Sequence, residues 1–78
     1  MAYNLIVPTK IETAISGKLG AIEKTHRGRL FRVEFWNNGT VCQKDGKPIE
    51  WENLPHEVRK DAHAGCDQLK AGLKMAQV

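Results

Sequence analysis

Residues 29–41 read RLFRVEFWNNGTV, and the alternation within them decides the fold. Phe31, Val33 and Phe35 take every second position, with Leu30, Arg32, Glu34 and Trp36 between them. Successive side chains of a strand point to opposite faces, so Arg29 to Trp36 reads as a strand with one apolar and one mixed face. Its branched and aromatic content suits a pleated surface. Phe35 and Trp36 are neighbours and cannot enter the same core.

Asn38-Gly39 then supplies the positive φ angles that a type I′ hairpin loop requires. That loop sets Trp36 opposite Val41 and Phe35 opposite Cys42. Asp45-Gly46 repeats the device, setting Gln43 opposite Pro48, Cys42 opposite Ile49 and Thr40 opposite Trp51. Residues 48–51, PIEW, are the expected third strand, with Pro48 suited to an outer edge. This register gathers Phe31, Val33, Phe35, Cys42, Ile49 and Trp51 on an apolar face. Leu30, Arg32, Glu34, Trp36, Val41, Gln43 and Glu50 fall on the other.

Toward the N-terminus, residues 4–7 (NLIV) form a short apolar segment that Pro8 ends, an edge strand or an ordered arm over residues 1–8. Thr9-Lys10-Ile11-Glu12 has the form of a capping box. Ile11, Ala14, Ile15, Leu19 and Ile22 follow at helical spacing, which predicts a helix to about Lys24 or Thr25. Gly17 and Gly20 each weaken such a helix by about 1 kcal/mol relative to alanine. The competing reading of residues 10–25 is two strands broken at Ser16-Gly17.

Toward the C-terminus, residues 52–76 form the second helix, with Asn53 as cap, Pro55 in the first turn and Glu57 at the positive end of the dipole. Val58, Ala62, Cys66, Leu69, Leu73 and Ala76 make its apolar stripe. Gly65 and Gly72 lie on one border of that stripe, where a bare backbone admits a close neighbour. His56, Lys60, His63, Asp67, Lys70 and Lys74 face water, and residues 71–78 are expected to fray. The whole is a single small α+β domain over residues 1–78, a short strand or arm, a helix, a three-stranded antiparallel meander and a helix, with the sheet packed on helices.

A chain of 78 residues has room for one core and none for a deep substrate cleft. Its 41% hydrophobic and 27% charged content is ordinary for a globular domain. Twelve basic against nine acidic residues give +3, which permits an acidic or nucleic-acid partner without demanding one. The densest basic run is His26-Arg27-Gly28-Arg29. No apolar run approaches the ~20 residues that cross a bilayer, and MAYNLIVPTK does not read as a signal peptide. The expected location is the cytoplasm. Cys42 and Cys66 are too few for a disulfide framework and read as packed thiols.

No motif reads as catalytic or cofactor-binding. His63 and Cys66 have a spacing that serves zinc, yet Cys66 belongs to the apolar stripe and His63 to the wet side, so no metal site is expected. Neither thiol has an oriented histidine or an oxyanion site beside it. Glu50 and Glu52 share a sheet rim without a cleft, and Gly17, Gly20 and Gly28 match no phosphate loop. Binding remains. Trp36, Arg32, Leu30 and Val41 share the mixed face, with Arg29 and Arg27 just before them.

A tryptophan among arginines is the composition of a protein-interface hot spot. It is also that of a surface stacking single-stranded nucleic acid, with Arg27, Arg29, Arg32, Lys44 and Lys47 on phosphates. Glu34 in the middle of the row favours a protein partner. The expected function is therefore a small, non-enzymatic regulatory or inhibitory protein that engages a protein partner through a sheet face or edge, with RNA or single-stranded DNA binding as the alternative. Homodimerisation through the Gly65/Gly72 border or an open edge fits the same physics. Against both stands a bland reading, in which NLIV or a helix covers Leu30, Trp36 and Val41 as a second small core.

Overall fold

Arg29–Trp36 is the strand β3 at the centre of a five-stranded antiparallel sheet whose strands lie in chain order. The structure is a computed structural model that describes residues 2–76, with side-chain environments through residue 72. Before β3 come β1 (Asn4–Ile6), α1 (Lys10–Ser16) and β2 (Lys18–His26). After it come β4 (Gly39–Lys44), β5 (Lys47–Pro48), a 3-10 turn (Trp51–Asn53) and α2 (His56–Ala76). The α+β class and the meander β3–β4–β5 hold, and β1 and β2 extend that meander on its other side.

The long first helix is corrected. Its start is as expected: the Thr9 hydroxyl accepts the Glu12 amide at 3.1 Å while the Glu12 carboxylate accepts the Thr9 amide at 3.3 Å. It stops after seven residues because Gly17 takes the left-handed conformation, φ 77°, and returns its amide to Thr13 O. Residues 18–26 then gain more as a strand. They pair along the whole of β3, with Ile22 opposite Val33 and Leu5 of β1. Ile22 satisfied both periods, 3.6 and 2, and the ladder to β3 decided between them. The competing reading's break at Ser16-Gly17 is where the helix ends, but it separates a helix from a strand.

The β3–β4 register is also corrected. Trp36 pairs with Gly39, Phe35 with Thr40, Glu34 with Val41 and Val33 with Cys42. The loop is therefore Asn37-Asn38, and the positive φ, 142°, falls on Gly39 at its end. The slip is two residues, an even number, so every side chain keeps its expected face. At Asp45-Gly46 both φ angles are positive, 51° and 81°, and Gln43 pairs with Pro48 as expected. β5 is shorter than PIEW: Ile49 adds one bond to Cys42 O at 3.1 Å before the chain turns at Trp51. Trp51 still packs on the rim of the core, edge-on to His63 with ring centroids 5.5 Å apart.

The core lies between the sheet and α2. Ile22, Val33 and Val58 are its largest fully buried side chains, joined by Phe31, Phe35, Cys42, Leu54, Ala62 and Leu69. Burying one such branched side chain stabilises by about 1.5–3 kcal/mol. α2 begins at His56, not at an Asn53 cap, since Asn53 is bound into the 3-10 turn by its amide to Glu50 O. Gly65 lets α2 close on the sheet: a Cβ there would lie 2.3 Å from Ile22 Cγ2. Gly72 has open space instead. Leu73, Lys74 and Ala76 of the expected helix pattern, and the fraying expected of residues 71–78, fall wholly or largely outside the described side chains. One ion pair crosses the layer, with Lys24 Nζ 2.6 Å from Asp61 Oδ2 and both side chains largely buried. That oxygen has no aligned hydrogen bond, so the contact is electrostatic.

Candidate functional site: the open face of the sheet

α2 covers one face of the sheet. On the opposite face the register sets Arg32 beside Glu23 of β2 and Gln43 of β4, Glu34 beside Ala21 and Val41, and Trp36 beside Lys18 and Gly39. A register irregularity between Lys18 and Gly20 permits this. Gly20 and Leu19 turn to the core, Gly20 so closely that a Cβ would meet Leu69 at 2.6 Å, and Lys18 comes out on the Trp36 side.

The charges on this face satisfy one another. Glu34 Oε2 accepts from Arg32 Nε at 3.0 Å and Lys18 Nζ at 3.4 Å, Glu34 Oε1 accepts from Trp36 Nε1 at 3.2 Å, and Arg32 Nη1 reaches Glu23 at 3.5 Å. Lys18 Nζ also lies over the Trp36 ring, 5.6 Å from its centroid. Burial pushes the Glu34 carboxyl up, but bonds from Arg32, Trp36 and Lys18 outweigh it and hold the group below its ordinary value. Glu34 and Lys18 thus hold the indole, and Arg32 ties Glu34 to Glu23. Trp36 is half-buried, Leu30 and Val41 are 45% and 47% exposed, and Ala21, between Ile6 and Glu34, has no exposed surface.

The six residues expected to bind therefore divide. Arg32, Trp36, Leu30 and Val41 share the open face. Arg27 and Arg29 stand at the β2–β3 turn, where Arg27-Gly28 takes positive φ angles of 50° and 76°, and Arg29 pairs with His26 on the α2 side. The second-core reading of Trp36 is not what forms: Asn4–Ile6 becomes the edge strand β1 in the plane of the sheet, and Leu30 and Val41 on the same face stay exposed.

Sequence reasoning missed a further surface. Ile11 and Ile15 of α1 are 73% and 82% exposed, and Val7 67%, although Ile11 and Ile15 were expected to face the core. Their i, i+4 spacing was legible; its partner within the chain disappeared when the helix ended at Ser16. Beside them lies an apolar groove of about 250 Å³ between α1 and α2, lined by Val7, Pro8, Thr13, Leu19 and Leu69 among others.

The Cys42 thiol is not activated. Burial pushes the Cys42 thiol up and the nearby Glu50 and Glu52 charges add to this, against a hydrogen bond with Thr40. Cys66 is half-buried and unpaired, and shares a cavity of about 380 Å³ with His63, Trp51 and Thr40. Among the described residues no three metal-ligating side chains cluster, and no helix is long and apolar enough to cross a membrane. Compared with protein-family models, curated proteins and solved structures, the chain finds no match in any of the three.

Proposed function

We propose that this is a small, non-enzymatic regulatory or inhibitory protein that works in the cytoplasm by binding a protein partner through the open face of its sheet. The observation that supports it is the locked indole, a half-buried Trp36 held by Glu34 and Lys18 and flanked by exposed Leu30 and Val41. A tryptophan whose rotamer is already fixed loses little entropy on docking, and a rim of paired charges excludes water around it.

The charge pattern favours protein over nucleic acid on this face. Arg32 and Lys18 are committed to Glu34 and Glu23, so a phosphate backbone would have to displace carboxylates before it met a free cation. A partner bearing both signs of charge meets no such obstacle.

The test is affinity capture by the tagged protein with and without nuclease, followed by the affinity of the captured partner for the purified wild type and Trp36→Ala. Capture should survive nuclease and moderate salt, and Trp36→Ala should weaken it at least tenfold while the domain stays folded. Capture that vanishes with nuclease, or equal binding by the folded variant, refutes the reading.

A further inference from the structure

The inner face of the sheet is apolar only as far as α2 covers it. Beyond Ile22, Val33 and Cys42, the same face continues toward the β2–β3 turn through Lys24, His26, Arg29, Lys44 and Lys47. His26 pairs with Arg29, Phe31 with Lys44 and Lys44 with Lys47. Lys24 has a structural use in its pair with Asp61. The others surround a cleft of about 410 Å³ lined by His26, Arg27, Arg29 and Lys44, with Pro55, His56 and Glu57 closing it from the start of α2.

Phe31, 3% exposed, forms the floor; the His26 ring stands edge-on to it at 6.4 Å and Lys44 Nζ lies 5.9 Å from its centroid. An adjoining cavity shares Arg29 and Lys44 and adds Lys47.

The fold gains little from this concentration. Like charges placed opposite one another, as Lys44 and Lys47 are, destabilise a sheet. Two carboxylates are near. Asp45 is already taken, its Oδ1 accepting the Leu30 amide at 2.9 Å and its Oδ2 accepting Arg29 Nη1 at 3.3 Å, and the other is Glu57 at the rim. Arg27, Arg29, Lys44 and Lys47 thus outnumber the acids, and the His26 and His56 rings add N–H donors. The amides of His56, Glu57 and Val58 precede the first helical bond of α2, Arg59 N to Pro55 O at 3.1 Å, and also favour an anion.

We propose that this cleft binds phosphate groups. Donors converging from β2, β3, β4, the β2–β3 turn and the head of α2 match a ligand that presents several acceptor oxygens and more than one negative charge. Phe31 lies too deep to stack a base, so the site reads phosphate rather than nucleobase. The ligand is either a free oligophosphate or the backbone of a nucleic acid. The inference is independent of the outer face, and it moves Arg27, Arg29, Lys44 and Lys47 out of any joint site with Trp36.

Two probes separate the sources: inorganic tripolyphosphate and a single-stranded RNA oligonucleotide. Each is titrated at low salt into the wild type, Lys44→Glu/Lys47→Glu and the charge-matched Lys60→Glu/Lys70→Glu on the exposed side of α2, with amide shifts followed by NMR. At least one probe should bind, with shifts at residues 26–29, 44–47 and 55–57. The first double variant should bind about tenfold or more weakly than the second. Tighter binding of RNA, increasing with its length, assigns the site to a nucleic-acid backbone; equal or tighter binding of tripolyphosphate assigns it to a free oligophosphate. No binding of either probe, equal loss in both variants, or wild-type shifts at other residues overturns the proposal. The wild-type map holds even if Lys44→Glu/Lys47→Glu unfolds.

Discussion

Odd-numbered residues of β3 face α2 and even-numbered residues face away, so one strand carries two chemistries 3.4 Å apart along its length. On the inner side Val33 is fully buried, and Phe31 and Phe35 nearly so. On the outer side Arg32, Glu34 and Trp36 stay partly exposed and find their partners in one another. The inner face holds by exclusion of water, which is non-directional and large per side chain. The outer face holds by directed contacts that each contribute little, and its geometry is specific out of proportion to its energy. A surface of the first kind makes a fold; one of the second kind is available to a partner.

The largest effect that tests this contrast belongs to the inner face. Ile22→Ala should cost about 2–5 kcal/mol, since it opens a cavity between β2, β3 and α2. Denaturant unfolding measures it, and a loss under about 1 kcal/mol would mean that α2 does not pack on this face as described.

Gly65→Ala should come next. Alanine improves helix propensity by about 1 kcal/mol, yet its Cβ would sit 2.3 Å from Ile22 Cγ2, with Tyr3 and Leu5 behind. Overpacking of that kind costs about 1–3 kcal/mol, so the net change in unfolding free energy should be destabilising. Gly72→Ala, in open space, is the control and should be neutral or stabilising. Stabilisation by both would remove the close approach from the account.

Those two glycines also show where the sequence was legible. Seven residues apart on one border of the stripe, they look alike in the sequence, and only packing tells them apart. The alternation of β3, the turn at Asp45-Gly46 and the stripe of α2 are local, so local rules read them. Residues 18–26 were misread because Leu19 and Ile22 suit either period, and their state depends on a partner strand distant in sequence. The same error hid the exposed Ile11 and Ile15. At the site, alternation was enough to put Trp36, Arg32, Leu30 and Val41 together. It could not reveal that Lys18, beyond an irregular step in β2, would complete the charge set, or that Arg27 and Arg29 would join Lys44 elsewhere.

Trp36→Ala should fall below Ile22→Ala and within the range of Gly65→Ala. Its indole is half-buried and makes one hydrogen bond, to Glu34, so its removal should cost about 1–2 kcal/mol in unfolding free energy. The same substitution should weaken partner binding at least tenfold. A loss as large as that of Ile22→Ala would make the outer face a second core and erase the distinction drawn above.

Glu34→Gln is the smallest and the most discriminating. The pairs it breaks are partly solvated and contribute about 0.2–1 kcal/mol each at neutral pH. Because Arg32, Trp36 and Lys18 lower the folded-state value of this carboxyl against the opposing effect of burial, its contribution is fully present above the ordinary value of 4.5 and is lost as pH falls through the lowered folded value. The stability gap between wild type and Glu34→Gln should therefore be steady from neutrality down to that range and close below it. A gap that persists unchanged to about pH 2 would show that the hydrogen-bond geometry, and not the charge, does the holding. The substitution also frees Lys18 and leaves Arg32 paired with Glu23 alone among the described carboxylates of this face. If paired charge is what turns polyanions away from Trp36, Glu34→Gln should bind single-stranded RNA through this face where the wild type does not, with amide shifts at Lys18, Arg32 and Trp36. Without such a gain, the outer face would owe its preference for protein to shape, and Glu34 would be left with the narrower task of holding the indole.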